Sequence, residues 1–453
     1  MHTSDLILIG ASKGGQALAL HAAEQGQRVV LFEANPQGRP ELPTLATQHL
    51  LAITSTLRAT NHLQSASITS SWEPDVAKLL AYAKQQANDY QPMVEHDNLN
   101  VVNTQAAFRG PSIVSAGNTQ YRAPRIVIST GNLPALPDSP AKVQGLGESP
   151  YLTPQTLFDL TELPARIAIL GAGRTGVQLA QSLAVLGVQV HLIDRNERVL
   201  SHLPEPIAKV IAHALAADGV TMHLGSNVNA VSYRDGRHTI RCANDDEIIT
   251  DALLLAAGHR PATHALDCSL SNLTLDDQGY VQVNAQLQTN IEGVSAIGSC
   301  IDQHTGQSSS YEDHLRLIDQ WGLGADKNHK TTRRRQDRPR AFGLFTHPQV
   351  GHVGQFHDEA ELAGYRVAHA QQALSDTALC AAAPSYEGFS DILIDEPSGK
   401  ILGVTLVGNG AAEVATMLAP LLSQHRTWQD LMASPMIPGT WGQQLQNLAR
   451  QFR

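Results

Sequence analysis

Residues Arg166 to Asp194 read RIAILGAGRTGVQLAQSLAVLGVQVHLID, and few stretches restrict a fold more tightly. An apolar strand, Ile167 to Leu170, runs into the turn Gly171-Ala172-Gly173-Arg174-Thr175-Gly176. A helix follows, with Val177, Leu179, Ala180, Leu183 and Ala184 apolar at helical spacing. Gly187 stops it, and a second strand, Val188 to Ile193, ends on Asp194. Strand, glycine turn, helix, strand and a terminal acid about 20 residues after the first glycine form the dinucleotide-binding pattern. Gly171 makes the turn, Gly173 leaves room for a pyrophosphate, and Gly176 lets helix and strand pack closely. Thr175 and Arg174 open the helix, whose unpaired amides attract phosphate. Asp194 is placed to accept hydrogen bonds from an adenosine ribose.

A second copy opens the chain. Leu6 to Ile9 is a strand, Gly10-Ala11-Ser12-Lys13-Gly14-Gly15 a turn, and Ala17 to Gly26 a helix and its end. Val29 to Phe32 is the next strand, and Glu33 follows its first glycine by the same offset as Asp194 does. Two such units in one chain imply two dinucleotide sites in two domains. The first copy is imperfect: Ser12 stands where the second glycine belongs, so its Cβ and hydroxyl are expected to crowd the phosphate approach.

A chain of 453 residues carries two or three domains. Its net charge of −10 excludes a general nucleic-acid binder, and no apolar run is long enough to insert into a membrane. Met1 to Asp5 lead directly into a strand without a signal sequence. Cys242, Cys268, Cys300 and Cys380 lie far apart without zinc or CxxC spacing, which suits a reducing, cytoplasmic setting. His347, His352 and His357 recur every five residues, a period of neither helix nor strand; they read as surface or loop residues, with no metal expected.

Between the two units, Leu42 to Leu57 and Glu73 to Ala87 read as helices, followed by short strands from Leu99 to Arg122 and a strand Arg125 to Ser129 ending in Thr130-Gly131. Pro134 and Pro137 mark an exit from the first domain. After Asp194, Val199 to Ala217 reads as mainly helical, Val220 to His223, Val228 to Tyr233 and Arg237 to Cys242 as strands, and Ala252 to Ala256 as a buried strand leading to Gly258. Val294 to Ile297 is another, ending at Gly298-Ser299-Cys300, before a helix Tyr311 to Trp321. Arg333-Arg334-Arg335 lies in a short basic segment read as a solvated loop. From about 340 the pattern becomes an antiparallel sheet with helices: strands Ala341 to Thr346, Arg366 to Gln371, Ser390 to Asp395 and Ile401 to Val407, and helices Glu359 to Ala363, Ala411 to Ser423 and Trp428 to Met432.

Taken together, GASKGG with Glu33, STG at Ser129 to Gly131, GAGRTG with Asp194, LLLAAGHRP at Leu253 to Pro261, SAIGS at Ser295 to Ser299, LFTHPQVGHVG at Leu344 to Gly354 and GKILGVTLVG at Gly399 to Gly408 resemble the pyridine nucleotide-disulfide oxidoreductase family. The resemblance implies an α/β fold with two Rossmann-like dinucleotide-binding domains and a C-terminal α+β dimerisation domain. It implies an FAD-binding domain from 1–150 and 263–335, an NAD(P)-binding domain from 151–262, and a homodimer built on 340–453. FAD falls to Gly10, Ser12, Gly14, Gly15, Glu33, Thr130, Gly131, Gly298 and Ser299. The nicotinamide nucleotide falls to Gly171, Gly173, Arg174, Thr175, Gly176, Asp194 and Gly258. Asp194 points to NADH; Arg195 beside it is placed to meet a 2′-phosphate, the NADPH alternative.

The departures are as informative. The family's cysteine pair is missing from the matching segment, Gly38 to Leu51. Its C-terminal His and Glu are missing from Met436 to Gln443, and its flavin-ribityl aspartate is Ser299. Its Lys–Glu pair beside the flavin aligns with Gln48 and Gln178, two amides able to bond each other. Arg174 takes the position of a nicotinamide gate in relatives, or is simply a solvent-facing arginine. Cys300 reads as buried and inert, with a lone redox thiol as the alternative. Without thiols the disulfide half-reaction cannot run, whereas hydride transfer needs only positioning. The expectation is an FAD- and NAD(P)H-dependent oxidoreductase with a non-disulfide acceptor, such as oxygen, a quinone or another nicotinamide; its alternative is a catalytically inactive dimeric scaffold or nicotinamide sensor. A disulfide reductase using other cysteines would need two of the four within bonding distance.

Overall fold

The computed structural model describes residues 1–34, 42–65, 76–90, 94–135, 143–243, 246–301, 307–323, 339–377 and 388–453. The first unit builds a five-stranded parallel sheet in the order Val294–Ala296, Ile126–Ile128, Leu6–Ile9, Val29–Phe32, Leu99–Val102. All four residues of Leu6–Ile9 are buried, as a central parallel strand covered on both faces requires. Helices Lys13–Glu24 and Gln307–Trp321 pack against each other over it. Sequence-distant residues 294–296 thus return to the sheet that residues 6–9 begin.

The second unit builds a four-stranded parallel sheet ordered Thr221–His223, Gln189–Ile193, Arg166–Leu170, Ala252–Leu255. An antiparallel three-stranded meander, Val228–Arg234, Arg237–Cys242 and Glu247–Thr250, joins it. A short pair, Asn132–Pro134 with His259–Pro261, links the two units directly. The C-terminal region is a five-stranded antiparallel sheet ordered Ala341–Leu344, Val350–Gly354, Ile401–Val407, Phe389–Asp395, Val367–Ala373. Its helices include Ala411–Ser423, Trp428–Ala433 and Trp441–Ala449. No helix among the described residues is long and apolar enough to cross a membrane.

Several sequence expectations are corrected. The helix expected from Val199 begins only at Glu205, because Pro204 and Pro206 set its first turn and residues 195–204 form turns and bends. The helix expected to end at Leu57 runs Leu42–Ser65. Val350–Gly354 is a fully buried strand, so His352 is an interior residue, 1% exposed, not a surface or loop residue. Its Nδ1 lies 2.9 Å from Thr405 Oγ1, and its ring stacks on Phe356. Trp441–Ala449 is a helix that the reading overlooked, with Trp441, Leu445 and Leu448 buried. Cys380, Pro137 and Arg333 to Arg335 lie outside the described residues.

Candidate functional site

Both glycine turns open into one cavity of about 1390 Å³. Gly10, Ser12, Glu33, Thr130, Gly131 and Ser299 line it from the first unit; Gly171, Gly173, Arg174, Thr175, Asp194 and Gly258 line it from the second. Gly14, Gly15, Gly176 and Gly298 are buried and do not line it; a Cβ on Gly15 would sit 2.7 Å from Ser129 Oγ, and one on Gly176 1.8 Å from Gly171 O.

The two turns solve the same problem identically. Gly10 has φ +96° and Gly171 φ +110°, a region closed to most side chains. A Cβ on Gly10 would sit 2.5 Å from Ser129 O, and one on Gly171 2.4 Å from Ala256 O, so each turn presses against the end of the neighbouring strand. Each terminal acid then holds its own turn. Ala11 N donates to Glu33 Oε2 at 3.2 Å, and Ala172 N donates to Asp194 Oδ2 at 2.6 Å. Asp194 Oδ1 also accepts from Asn196 N and Nδ2, both at 2.8 Å.

The second glycines differ. A Cβ on Gly173 would meet nothing within 4 Å, so the protein's own packing does not demand glycine there. Its absence of side chain serves the cavity, which is what a pyrophosphate needs. In the first turn Ser12 fills that place. Its Oγ accepts from Gly15 N at 3.2 Å as the helix cap and is hydrogen-bonded to Ser129 Oγ. The hydroxyl expected to crowd the phosphate approach is therefore anchored to the neighbouring strand. Both cradles fit a dinucleotide.

Arg174 is neither solvent-facing nor isolated. Its Nη2 donates to Gly343 O at 3.2 Å, and its guanidinium lies 5.0 Å from the Phe342 ring centroid. Burial holds that guanidinium below its usual pKa. Gln178 does not turn its amide to Gln48 as anticipated: its Nε2 donates to Arg174 O at 2.9 Å, and its Oε1 accepts from Phe345 N at 2.9 Å. One turn further on, Gln181 accepts from His347 N and donates to His347 O, both at 2.7 Å. Gly343, Phe345 and His347, at the end of strand Ala341–Leu344 and in the bend after it, thus follow one face of helix Arg174–Val185.

Ser299 sits in a single turn at the cavity wall, and the Gly298 amide donates to Asp313 Oδ2 at 3.1 Å. Asp313 is 1% exposed; within the helix Gln307–Trp321 it carried no sequence signal. Cys300 is fully buried and its thiol is directed at the carbonyls of Ile128 and Ile297. Burial pushes its pKa up to about 11, so it is held as an unreactive thiol. Cys242, Cys268 and Cys300 are all free, and none lines the cavity. Phe342, His352 and Phe356, which sequence reasoning had not placed here, form an aromatic wall contributed by the C-terminal sheet. The only sequence signal was their clustering within fifteen residues of a glycine-rich stretch.

The chain is similar to known proteins over nearly its whole length. The model of the family described as pyridine nucleotide-disulphide oxidoreductase matches residues 4–320. The model of that family's dimerisation domain matches residues 341–447. A dihydrolipoyl dehydrogenase of Thermus scotoductus is 27% identical over 95% of this chain and 93% of its own. A mercuric reductase of Lysinibacillus sphaericus is 25% identical over 94% of this chain and 78% of its own. The HOCl-induced flavoprotein disulfide reductase RclA from Escherichia coli superposes with a TM-score of 0.84 at 21% identity, covering 98% of this chain and 99% of that one, a likeness of fold.

Proposed function

The chain belongs to the pyridine nucleotide-disulphide oxidoreductase family, and on that premise we propose that it is an FAD-dependent oxidoreductase that takes hydride from NAD(P)H and delivers the electrons to an acceptor other than a disulfide. Bound FAD would supply the two-electron centre and the nicotinamide the hydride. The observation that carries the reading is the single cavity entered by both glycine turns and lined, among the described residues, by no thiol. It supports bringing two nucleotides together, and the segment that matches the family's cysteine pair, Gly38 to Leu51, carries no cysteine.

The chain's own residues have simple tasks in this proposal. Gly10, Ser12, Glu33, Thr130, Gly131 and Ser299 hold FAD, with Gly14, Gly15 and Gly298 shaping the seat. Gly171, Gly173, Thr175, Asp194 and Gly258 hold the nicotinamide nucleotide, and Gly176 packs the helix beneath it. Asp194, with its carboxylate fixed by Ala172 and Asn196, favours a ribose carrying a free 2′-hydroxyl, hence NADH. Arg174 positions the nicotinamide end against Phe342. Residues 1–150 and 263–335 form the FAD-binding domain, supported by the pairing of Val294–Ala296 with Ile126–Ile128. Residues 151–262 form the NAD(P)-binding domain, and 340–453 the homodimer interface, supported by the dimerisation-domain match.

The purified protein is expected to be yellow and to bleach on anaerobic addition of NADH, recovering colour with a quinone or oxygen but not with oxidised lipoamide or glutathione. A colourless protein that FAD cannot reconstitute would overturn this reading. One observation favours the inactive scaffold or nicotinamide sensor: Arg174, at the start of the helix that follows the second glycine turn, is already engaged with Phe342 and Gly343. Flavin-dependent NADH oxidation with any acceptor excludes that second reading.

A further inference from the structure

We propose that His357, Asp358, Glu361 and His369, with Asp391 behind His369, form a site for a borderline divalent transition metal on the C-terminal domain, away from the nucleotide cavity. His357, Asp358 and Glu361 come from one short helix, His357–Leu362. Their ligand atoms all lie within 4.8 Å of one another. His357 Nδ1 is 3.6 Å from Glu361 Oε2 and 3.8 Å from Asp358 Oδ1. Positions 357 and 361 share a helix face because four residues make about one turn.

The second imidazole comes from a different element. His369 lies on strand Val367–Ala373, its ring perpendicular to that of His357 with centroids 5.8 Å apart. Gln371 pairs with Asp391 in the sheet, which puts Asp391 diagonally beside His369 on the same face. His369 Nδ1 stands 3.7 Å from Asp391 Oδ1. That oxygen is inaccessible to solvent and makes no hydrogen bond of normal length. A carboxylate fixed behind one imidazole nitrogen turns the other outward, the arrangement that orients metal-bound histidines.

Two imidazoles with carboxylates from two elements suit zinc-like ions rather than calcium or magnesium, which take all-oxygen shells. An acidic surface cluster alone would give no such selectivity. The helix start is also tied to the cavity wall. Phe356 and Glu359 line the cavity, Glu359 accepts from Phe356 N at 3.0 Å, and it pairs with Arg340. Loading the site would therefore stiffen the same short helix that carries this wall.

The test uses tag-free full-length protein with its thiols alkylated, titrated with Zn(II) against a chromophoric chelator. One equivalent of Zn(II) is expected to bind. His357→Ala and His369→Ala should each weaken binding by about tenfold or more, and Asp391→Asn by about tenfold through loss of orientation. His2→Ala, on strand His2–Thr3 paired with Thr119–Arg122 of the N-terminal region, should leave it unchanged. Unaltered circular dichroism of each variant shows that it has folded. Cu(II) loaded on the wild-type chain should show electron-spin coupling to two imidazole nitrogens, a readout that needs no variant. Absence of stoichiometric Zn(II) binding, full binding in either histidine variant, or coupling to fewer than two nitrogens overturns the site.

Discussion

The hydroxyls of Ser12 and Ser129 are hydrogen-bonded to each other, joining the first glycine turn to the end of the adjacent strand. Ser129 is 1% exposed, whereas Ser12 is half-buried at the cavity wall. Ser12→Ala is expected to cost about 1 kcal/mol through loss of the helix cap alone. The double-mutant cycle of Ser12→Ala and Ser129→Ala should show a coupling of ~1 kcal/mol in urea unfolding. Strict additivity would mean that the two hydroxyls act independently.

Gly173 and Gly171 separate ligand binding from folding. Gly173→Ala places a methyl where the protein has nothing within 4 Å. Its melting temperature should match wild type, while NADH affinity, read by calorimetry, falls by about tenfold or more as the pyrophosphate approach is blocked. Gly171→Ala, at φ +110° and pressed on Ala256 O, should instead lower stability itself. Equal nucleotide affinity in Gly173→Ala and wild type would remove the second cradle from the mechanism.

In the proposed function, Asp194 is the residue that selects between the two nucleotides. Asp194→Ser removes the charge facing the ribose and also releases Ala172 N and Asn196. The ratio of NADH to NADPH dissociation constants should shift toward NADPH by about tenfold or more, with Arg195 now able to meet a 2′-phosphate. A ratio that does not move would place the ribose elsewhere.

Acid stability reports on His352. Burial pushes its pKa down to about 4 in the folded chain, against an ordinary value near 6.5. Below 6.5 the unfolded chain binds a proton that the folded chain refuses, so stability is full above pH 6.5 and falls as pH drops toward 4. The loss from this residue approaches roughly 3 kcal/mol at the acid end. His347 acts in the same direction, lowered by burial and then by the Arg58 charge. His352→Gln, still able to bond Thr405, should flatten this limb in urea unfolding measured from pH 7 to 4; an unchanged limb would assign the acid loss to other groups.

Much of the nucleotide-binding architecture was legible because it is written locally. Leu6 to Ile9 and Arg166 to Leu170 are short apolar runs bounded by glycines whose positions no other residue fills. What escaped was decided by distant partners. Val350–Gly354 contains two glycines and a histidine and reads as loop; it becomes a buried strand because Ala341–Leu344 and Ile401–Val407 flank it. Trp441–Ala449 has the helical spacing of Trp441, Leu445 and Leu448, but Gly442 and the glutamines masked it. Gln178 was expected to answer Gln48; the C-terminal segment, far along the chain, supplies Phe345 N instead. Asp313 could not be distinguished from any surface acid until the fold carried it beneath Gly298.

Three successive rungs, Arg174 to Gly343, Gln178 to Phe345 and Gln181 to His347, fasten the helix after the second glycine turn to the start of the C-terminal sheet. That seam couples the helix of the second glycine turn to the C-terminal sheet, so a shift of either one strains the hydrogen bonds between them.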